Sequence, residues 1–259
     1  MVTSLKFKSR TQEYFDTTLN NLSNPEEILE VSIHWGEIAN LRYLSRLSNL
    51  EKLNIKESQI SDLGPLRGLV KLEVLKIESN LISDVEPLRR LVKLEVLSLE
   101  DNQISDLEPL RRLVKLRELN LSYNQISDVE PLIRLVNLRY LTLYKNQILD
   151  VEPLSNLENL QTLILCQNRI SDIHSLRDLV NLNVLHLVYN TISDVTALKY
   201  MCKLERLKLQ RLMLYCSKST KILNLIHRNK YQFILLESTL PKNYKCPLSN
   251  LREFGILGL

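Results

Sequence analysis

The sequence is poor in the residues that build flexible linkers and phosphate-binding loops. It contains five glycines and eight prolines among 259 residues, which argues against linkers and low-complexity segments. The glycines lie at positions 36, 64, 68, 255 and 258, and they match no phosphate-binding spacing. We therefore expect a folded chain that carries no nucleotide-binding loop, and we expect no cofactor.

Cysteines and long apolar runs are scarce as well. The four cysteines, Cys166, Cys202, Cys216 and Cys246, show no C-x-x-C spacing, so we expect free thiols rather than disulfides or a metal site. No run approaches the roughly 18 apolar residues of a membrane span. The first residues also lack the apolar core of a secretion signal. These absences predict a monomer of the cytoplasm without membrane contact, with the nucleus as the alternative compartment.

Charge is distributed unevenly along the chain. The formal net charge is +4, yet from Lys203 onward eleven Lys and Arg stand against three Asp and Glu. Tyrosines lie among these cations at Tyr215, Tyr231 and Tyr244, an arrangement that suits contact with phosphates. A terminal cap with solvated lysines is the simpler interpretation, and nucleic-acid or membrane contact is the alternative.

A 22-residue repeat dominates the chain. Its unit is the stretch 94–110, LEVLSLEDNQISDLEPL, whose Leu, Asn, Ile, Asp and Pro positions return one period earlier and one period later. Self-similarity at such a period indicates stacked units that bury a shared core, which is a solenoid. Full repeats cover 50–71, 72–93, 94–115, 116–137, 138–159, 160–181 and 182–203, between a degenerate repeat at 28–49 and an incomplete one from Leu204.

The unit predicts its own local structure. Leu97 and Leu99 alternate with exposed residues, so each repeat begins with a short strand and nine strands stack in parallel. The buried Asn102 can satisfy backbone groups of adjacent turns. Asp106 suits the cap of a short helical turn, and Pro109 is tolerated in its first turn.

This pattern, L-x-x-L-x-L-x-x-N-x-I-S-D-x-x-P-L, resembles the leucine-rich repeat family in its 22-residue subclass. That subclass includes the leucine-rich regulatory subunit of protein phosphatase 1, and internalin repeats are closely similar. The resemblance implies an α/β solenoid with a curved parallel sheet on its concave face and short 3₁₀ or helical turns on its convex face. For function the resemblance is unspecific, because the family is defined by its core.

The two ends of the chain do not follow the period. We predict an N-terminal cap at 1–27, with a short helix among Phe7, Tyr14, Phe15, Leu19 and Leu22. The repeat array then covers 28–212, and a basic C-terminal cap covers 213–259. Within that cap, Ser219 and Thr220 suit the start of a helix through about Asn229, and 231–236 suits a strand or a buried segment.

Binding residues are expected at the strand positions that the core leaves free. Exposed aromatic and aliphatic residues collect in the C-terminal half of the concave face, with acidic residues beside them, as in a protein interface with aromatic anchors. β-propensity alone is the competing explanation. The predicted partner-binding residues are Tyr123, Tyr140, Tyr144, Ile164, Val184, His186, Val188, Tyr189, Glu100, Asp101 and Glu118.

Other chemistry finds little support. Cys166 and His186 lie in adjacent repeats, but they occupy different columns and have no orienting acid, so we expect no catalysis. His34, His174 and His227 are too scattered for a metal site. Arg89, Arg90, Arg111 and Arg112 follow glutamates by three or four positions, which predicts a self-neutralised convex face.

We therefore expect a non-catalytic scaffold that binds a protein partner. The resemblance points first to a phosphatase regulator, whose partner would be the catalytic subunit of protein phosphatase 1. No concave column here alternates acidic and aromatic residues as the phosphatase-binding members do, which weakens that assignment. The alternatives are an internalin-like effector acting on a host protein and a nucleic-acid-associated protein that uses the basic tail.

Overall fold

The strands of the protein stack in chain order. The computed structural model describes residues 3–8, 11–34 and 36–210 and the backbone of Gln232–Leu236. Within these residues eleven strands form one sheet, and each strand pairs in parallel with the next one along the chain. Their bounds are Ser4–Lys8 (β1), Glu30–His34 (β2), Lys52–Lys56 (β3), Val74–Glu78 (β4), Val96–Ser98 (β5), Glu118–Asn120 (β6), Tyr140–Thr142 (β7), Thr162–Ile164 (β8), Val184–His186 (β9), Arg206–Gln210 (β10) and Gln232–Leu236 (β11).

Each coil returns to the sheet through a short 3₁₀ helix. The predicted solenoid is confirmed, because β2 to β10 are the nine strands expected from the repeats. At about 4.8 Å per strand the sheet extends roughly 48 Å from β1 to β11. The 3₁₀ helices of the described residues are Pro25–Glu27, Arg42–Arg46, Gly64–Leu66, Glu86–Arg90, Glu108–Arg112, Glu130–Arg134, Glu152–Leu154, His174–Asp178 and Thr196–Tyr200.

One hydrophobic core runs through the whole stack, from Phe7 to Leu209. A single coil is too small to bury its own apolar side chains, so it buries them between its two neighbours. The coil at 94–115 is typical, and its inward residues are at most 1% exposed. They are Leu94, Leu97, Leu99, Ile104, Leu107, Leu110 and Leu113.

A ladder of buried asparagines joins each coil to the one before it, as predicted. Asn124 Oδ1 accepts the Ile104 N–H at 2.9 Å. Asn124 Nδ2 donates to the carbonyls of Leu99 at 2.9 Å and Leu121 at 3.2 Å. The amide thereby satisfies backbone groups of two coils where the chain leaves the sheet. The same inter-coil bonds from Ile N–H groups to Oδ1 recur at Asn80, Asn102, Asn146, Asn168 and Asn190.

The aspartate of each repeat binds the first N–H of the 3₁₀ helix, but from a position one residue earlier than a helix cap. Asp84 Oδ1 accepts the Glu86 N–H at 2.8 Å, whereas the capping position itself is Val85. This is an Asx turn, in which a short carboxylate bonds the backbone two residues ahead. The other members are Asp62, Asp106, Asp128, Asp150, Asp172 and Asp194, and Asn40 does the same in the degenerate repeat.

The N-terminal segment contributes a strand as well as the predicted helix. The helix α1, Gln12–Asn20, starts after Thr11, whose side chain accepts the Tyr14 N–H. Phe7 lies in strand β1 and Leu22 lies after the end of α1, so the helix prediction is wrong for these two residues. Ser4 of β1 pairs with Glu30 of β2, whereas the repeat period would place Lys8 there, which explains why the period did not reveal β1. The role of 1–27 as a terminal cap remains a prediction.

The C-terminal end is extended in the same way. Gln232 of β11 pairs with Arg206 of β10, again off the period, which would place position 228 there. This strand confirms the one predicted at 231–236. The predicted helix from Ser219 to Asn229 and the basic tail with its tyrosines lie outside the described residues. In the part of the chain that the structure does describe, no helix is long and apolar enough to cross a bilayer.

Candidate protein-binding face

The register of the sheet brings the predicted binding residues together on one face. Glu118 pairs with Tyr140, Tyr140 pairs with Thr162, and Thr162 pairs with Val184, so equivalent positions form columns across the strands. We call this exposed side of the sheet the sheet face. Alternation along each strand sends the leucines inward and leaves these columns outward.

Four tyrosines lie on or at the edge of the sheet face. The rings of Tyr123 and Tyr144 meet edge to face with centroids 4.9 Å apart, which is a favourable aromatic geometry. A hydrogen bond to Tyr123 raises the pKa of Tyr144, and burial adds to the effect. Tyr140 and Tyr189 are 44% and 50% exposed. We call Tyr123, Tyr140, Tyr144 and Tyr189 the tyrosine cluster.

Lys145 completes this cluster, although the repeat pattern did not single it out. Its Nζ lies 4.8 Å from the centroid of the Tyr123 ring, within the range of a cation–π contact. The sequence does place Lys145 next to this site, because it occupies the position of Tyr123 one repeat later. The contact depends on a side-chain conformation, however, which spacing alone does not determine.

The aliphatic part of the predicted site is less accessible than expected. Ile164, Val184 and His186 are half-buried, and Val188 is only 2% exposed. The prediction of Val188 as an exposed contact is therefore wrong. Alternation assigns a side chain to a face, but a short side chain between larger neighbours can still be covered. Ser122 shows the same effect at 3% exposure.

The acidic residues lie on the coils next to the tyrosines. Glu118 is exposed and pairs in register with Tyr140. Asp101 is also exposed, and its N–H donates to the Ser122 carbonyl on the Tyr123 coil at 2.9 Å. Glu100 is partly satisfied, because Asn120 Nδ2 donates to its Oε2 at 2.7 Å. Two carboxylates without an ion pair among the described residues therefore border the tyrosine cluster on its N-terminal side.

A column of left-handed residues runs along the edge of the sheet face. Seven non-glycine residues have φ between 49° and 59°, a region that costs most side chains about 1–2 kcal/mol. Asn and Gly tolerate it best. Two members belong to the tyrosine cluster, and nothing in the sequence pattern indicates this strain. The residues are Glu57, Ser79, Asp101, Tyr123, Lys145, Gln167 and Tyr189.

The N-terminal half of the sheet face carries an ion pair. Lys56 Nζ lies 2.5 Å from Glu78 Oε2. The hydrogen bond to Glu78 raises the pKa of Lys56. Burial on its own would raise the pKa of Glu78, but the hydrogen bond from Lys56 and nearby cations bring that pKa below its ordinary value.

This ion pair predicts a specific pH dependence of stability. The depressed pKa of Glu78 means that its contribution is present above about pH 4.5 and is lost as the pH falls below it. The raised pKa of Lys56 means that its contribution is present below about pH 10.5 and is lost above it. Because Lys56 is 40% exposed, Lys56→Met should lower the free energy of unfolding by less than about 1 kcal/mol at pH 7.

Urea unfolding at pH 3 and pH 7 checks this expectation. The difference between wild type and Lys56→Met should shrink at pH 3, where Glu78 is protonated. Lys52→Met is the matched control, since Lys52 is an exposed lysine of the same strand without an ion pair among the described residues. An equal effect of both substitutions at both pH values would contradict the ion-pair interpretation.

Cys166 and His186 do not have the properties of a nucleophile and its base. Burial raises the pKa of the Cys166 thiol and lowers that of His186, where Lys208 and Arg206 act in the same direction. A raised thiol pKa and a lowered imidazole pKa are both unfavourable for an activated cysteine nucleophile. Among the described residues, no group of three His, Cys, Asp or Glu side chains is arranged to hold a metal ion.

The arginine pairs of the 3₁₀ helices are neutralised only in part. Arg89 binds Glu86 at 2.7 Å, and Arg111 binds both Glu108 and Glu130. The second arginine of each pair has no ion pair within the residues that the structure describes. The prediction of a self-neutralised face is therefore correct for one member of each pair and wrong for the other.

Comparison with known proteins agrees with this architecture. A family model of leucine-rich repeats in two copies matches residues 48–90, 92–134, 114–156, 136–178 and 158–200, which together exceed half of the chain. A search of curated proteins gives no match. Proteins built from such repeats generally bind other proteins and are generally non-catalytic.

Solved structures give the same result. An internalin, inlF, from Listeria monocytogenes is 30% identical with a TM-score of 0.75, over 88% of this chain and 74% of that one. Internalin C2 from the same species is 34% identical with a TM-score of 0.72, and the match covers 76% of this chain and 91% of internalin C2. A leucine-rich repeat protein from Leptospira interrogans shares the fold at 23% identity, with a TM-score of 0.70, over 81% and 61%. The chain belongs to the leucine-rich repeat family.

Proposed function

We propose that this protein is a non-catalytic scaffold whose sheet face binds a protein partner through the tyrosine cluster. The main support is the grouping of four tyrosines within four consecutive coils, two of them about half exposed. Tyrosine is the kind of residue that anchors interfaces, because it offers a large ring and a hydroxyl at a low entropic cost. The carboxylates of Asp101 and Glu118 would steer a partner that carries basic residues beside its apolar contact.

The choice of tyrosine at a left-handed position is a second argument for the same site. Tyr123 and Tyr189 hold left-handed φ values of 55° and 59°, where Asn or Gly would be more stable. The left-handed conformation recurs in seven coils and belongs to the repeat, but in these two coils a large aromatic side chain occupies it in place of a residue that tolerates it better. β-propensity does not account for these two tyrosines, because a left-handed residue is not a strand residue.

The strain leads to a test in which stability and binding change in opposite directions. Tyr189→Asn should raise the free energy of unfolding by about 0.5–1 kcal/mol, because Asn relieves the left-handed strain. It should also weaken partner binding about tenfold or more, since an exposed anchor is lost. Glu57→Asn is the control, because it relieves the same strain at φ 49° far from the tyrosine cluster. If the control and Tyr189→Asn weakened binding equally, the cluster would not be the binding site.

Site-specific photocrosslinking identifies the partner. Intact protein with benzoylphenylalanine in place of Tyr140 is irradiated in a lysate, and adducts are identified by mass spectrometry. The same photoreactive group in place of Leu149, which is 61% exposed between strand β7 and the next 3₁₀ helix, is the control. A protein adduct is expected from position 140 and not from position 149. Adducts of equal identity and yield at both positions would argue against the sheet face.

An internalin-like effector that acts on a host protein is the second candidate. Identities of 30% and 34% to two Listeria internalins favour it over a phosphatase regulator. The crosslinking experiment separates the two, because the phosphatase role requires an adduct with the catalytic subunit of protein phosphatase 1. The effector role requires an adduct from a host-cell lysate. The nucleic-acid alternative concerns the basic tail, which lies outside the described residues.

A further inference from the structure

A second exposed feature lies outside the sheet face. The residue directly after the buried leucine that follows each 3₁₀ helix is valine in four consecutive coils, at Val70, Val92, Val114 and Val136. These side chains are 47%, 47%, 43% and 45% exposed. The coils that carry them are in direct contact, as the bond from Asn137 Nδ2 to the Val114 carbonyl at 2.8 Å shows. We call these four residues the valine ribbon.

Free cations border the ribbon on both sides. Arg90, Arg112 and Arg134 lie two residues before a ribbon valine, and Lys93 and Lys115 lie one residue after. All five are exposed, and none has an ion pair or a side-chain hydrogen bond within the described part of the chain. By contrast, Arg89 and Arg111 are held by glutamates.

The nearest carboxylates do not cancel this charge. Glu95 is bound to Arg117 at 3.4 Å, which leaves Glu73 as the exposed acid of the ribbon border, beside the first valine. At the other end the ribbon stops at Glu158, which takes the valine position in the next coil. Between these two acids, exposed valines alternate along the chain with exposed arginines and lysines that have no ion pair among the described residues.

We propose that the valine ribbon binds an acidic amphipathic helix of a protein partner, independently of the sheet face. Charge complementarity selects an acidic occupant, because the rows of Arg and Lys would meet Asp or Glu on both sides of an apolar seam. A single apolar row with cations before and after it also suits the narrow ridge of a helix better than a flat bilayer.

The spacing selects a helix rather than an extended segment. At the sheet the coils repeat about every 4.8 Å, so four consecutive coils span roughly 14 Å there. A helix presents one apolar residue per turn of about 5.4 Å, and its three turns span roughly 16 Å. Alternate residues of an extended strand would span about 20 Å and lose register within two coils.

The test uses a fluorescein-labelled synthetic helix of about 18 residues, or roughly two and a half heptads, with leucine at every third or fourth position and glutamate on the flanks. Fluorescence anisotropy with the intact protein should show binding with a Kd of the order of 10 μM. The combined change Val92→Ser and Val114→Ser should weaken binding at least tenfold. Arg112→Gln should weaken it less and should reduce its salt dependence.

A gain of affinity is also expected. Glu158→Val joins Val136 to Val180, which is 47% exposed, and it should tighten binding several-fold. Tyr140→Ala should leave peptide binding unchanged, so that failure of this proposal is distinguishable from failure of the sheet-face proposal. A scrambled peptide of the same composition that binds equally well would overturn the proposal. So would binding to phosphatidylserine vesicles in place of the helix.

Discussion

Replacing Asn124 with leucine is expected to lower the free energy of unfolding by about 3 kcal/mol. Leucine has as many side-chain heavy atoms as asparagine, so the substitution leaves no cavity and its effect reflects the lost hydrogen bonds. It removes the acceptor of the Ile104 N–H and the donor to the carbonyls of Leu99 and Leu121. A buried backbone group without its partner costs about 1–3 kcal/mol, which makes this one of the largest single-residue effects expected here.

Urea unfolding followed by circular dichroism measures this effect. Asn137→Leu is the matched control, because the exposed Asn137 makes a single bond to the Val114 carbonyl and should cost less than about 1 kcal/mol. Because coils interact only with their neighbours, a break at Asn124 should also separate the unfolding of the two halves. If Asn124→Leu were no more destabilising than Asn137→Leu, the ladder would not hold the coils together.

The stack itself was predictable because the core repeats. The fixed 22-residue period places Leu97 and Leu99 and their equivalents inward in every coil, and the shared core then leaves one way to stack the strands. The role of the buried asparagines was also predictable, because the amide has one donor and one acceptor side for two coils. These features depend on backbone geometry, which each repeat reproduces.

The ends and the details of exposure were not predictable in the same way. β1 joins the sheet with Ser4 opposite Glu30, off the repeat period, so the period carried no information about it. The burial of Val188 depends on neighbouring side chains rather than on alternation. The left-handed backbone at Tyr123 and Tyr189 follows from the turn that leads into the Asn ladder. Tyrosine has no preference for positive φ, so its presence at these positions did not predict that conformation.

The same limit applies to surface charge. Arg89 and Arg90 are adjacent in sequence, and both lie at a helical spacing from Glu86, yet only Arg89 reaches it in a bidentate pair. Successive residues of a 3₁₀ helix point about 120° apart, so the second arginine of the pair points away from the direction in which the first meets the glutamate. Sequence spacing therefore predicted that glutamates neutralise both arginines of each pair. In the structure the first arginine is paired with a glutamate, and the second has no ion pair among the described residues.

The second large effect concerns binding, and it comes from the tyrosine cluster. Replacing Tyr140 and Tyr144 together with alanine should weaken partner binding about 100-fold or more. Loss of a buried aromatic anchor typically costs about 2 kcal/mol or more, and about 1.4 kcal/mol corresponds to a factor of ten in Kd. The free energy of unfolding should fall by no more than about 1–2 kcal/mol, because neither ring belongs to the continuous core and the aromatic pair lost is that of Tyr144 and Tyr123.

The control for this variant is Tyr200→Ala. Tyr200 is 45% exposed and lies under Lys199, so it matches Tyr140 in residue type and accessibility but belongs to a different surface. Calorimetric titration with the partner that crosslinking identifies should show unchanged affinity for Tyr200→Ala. Replacing Tyr140 and Tyr144 with phenylalanine should give an intermediate loss, because the rings remain and the hydroxyl bond to Tyr123 does not. Ring contacts that carry recognition cannot be removed without weakening the complex. An alanine double variant that unfolds cooperatively and still binds like wild type would therefore mean that the tyrosines are exposed for another reason.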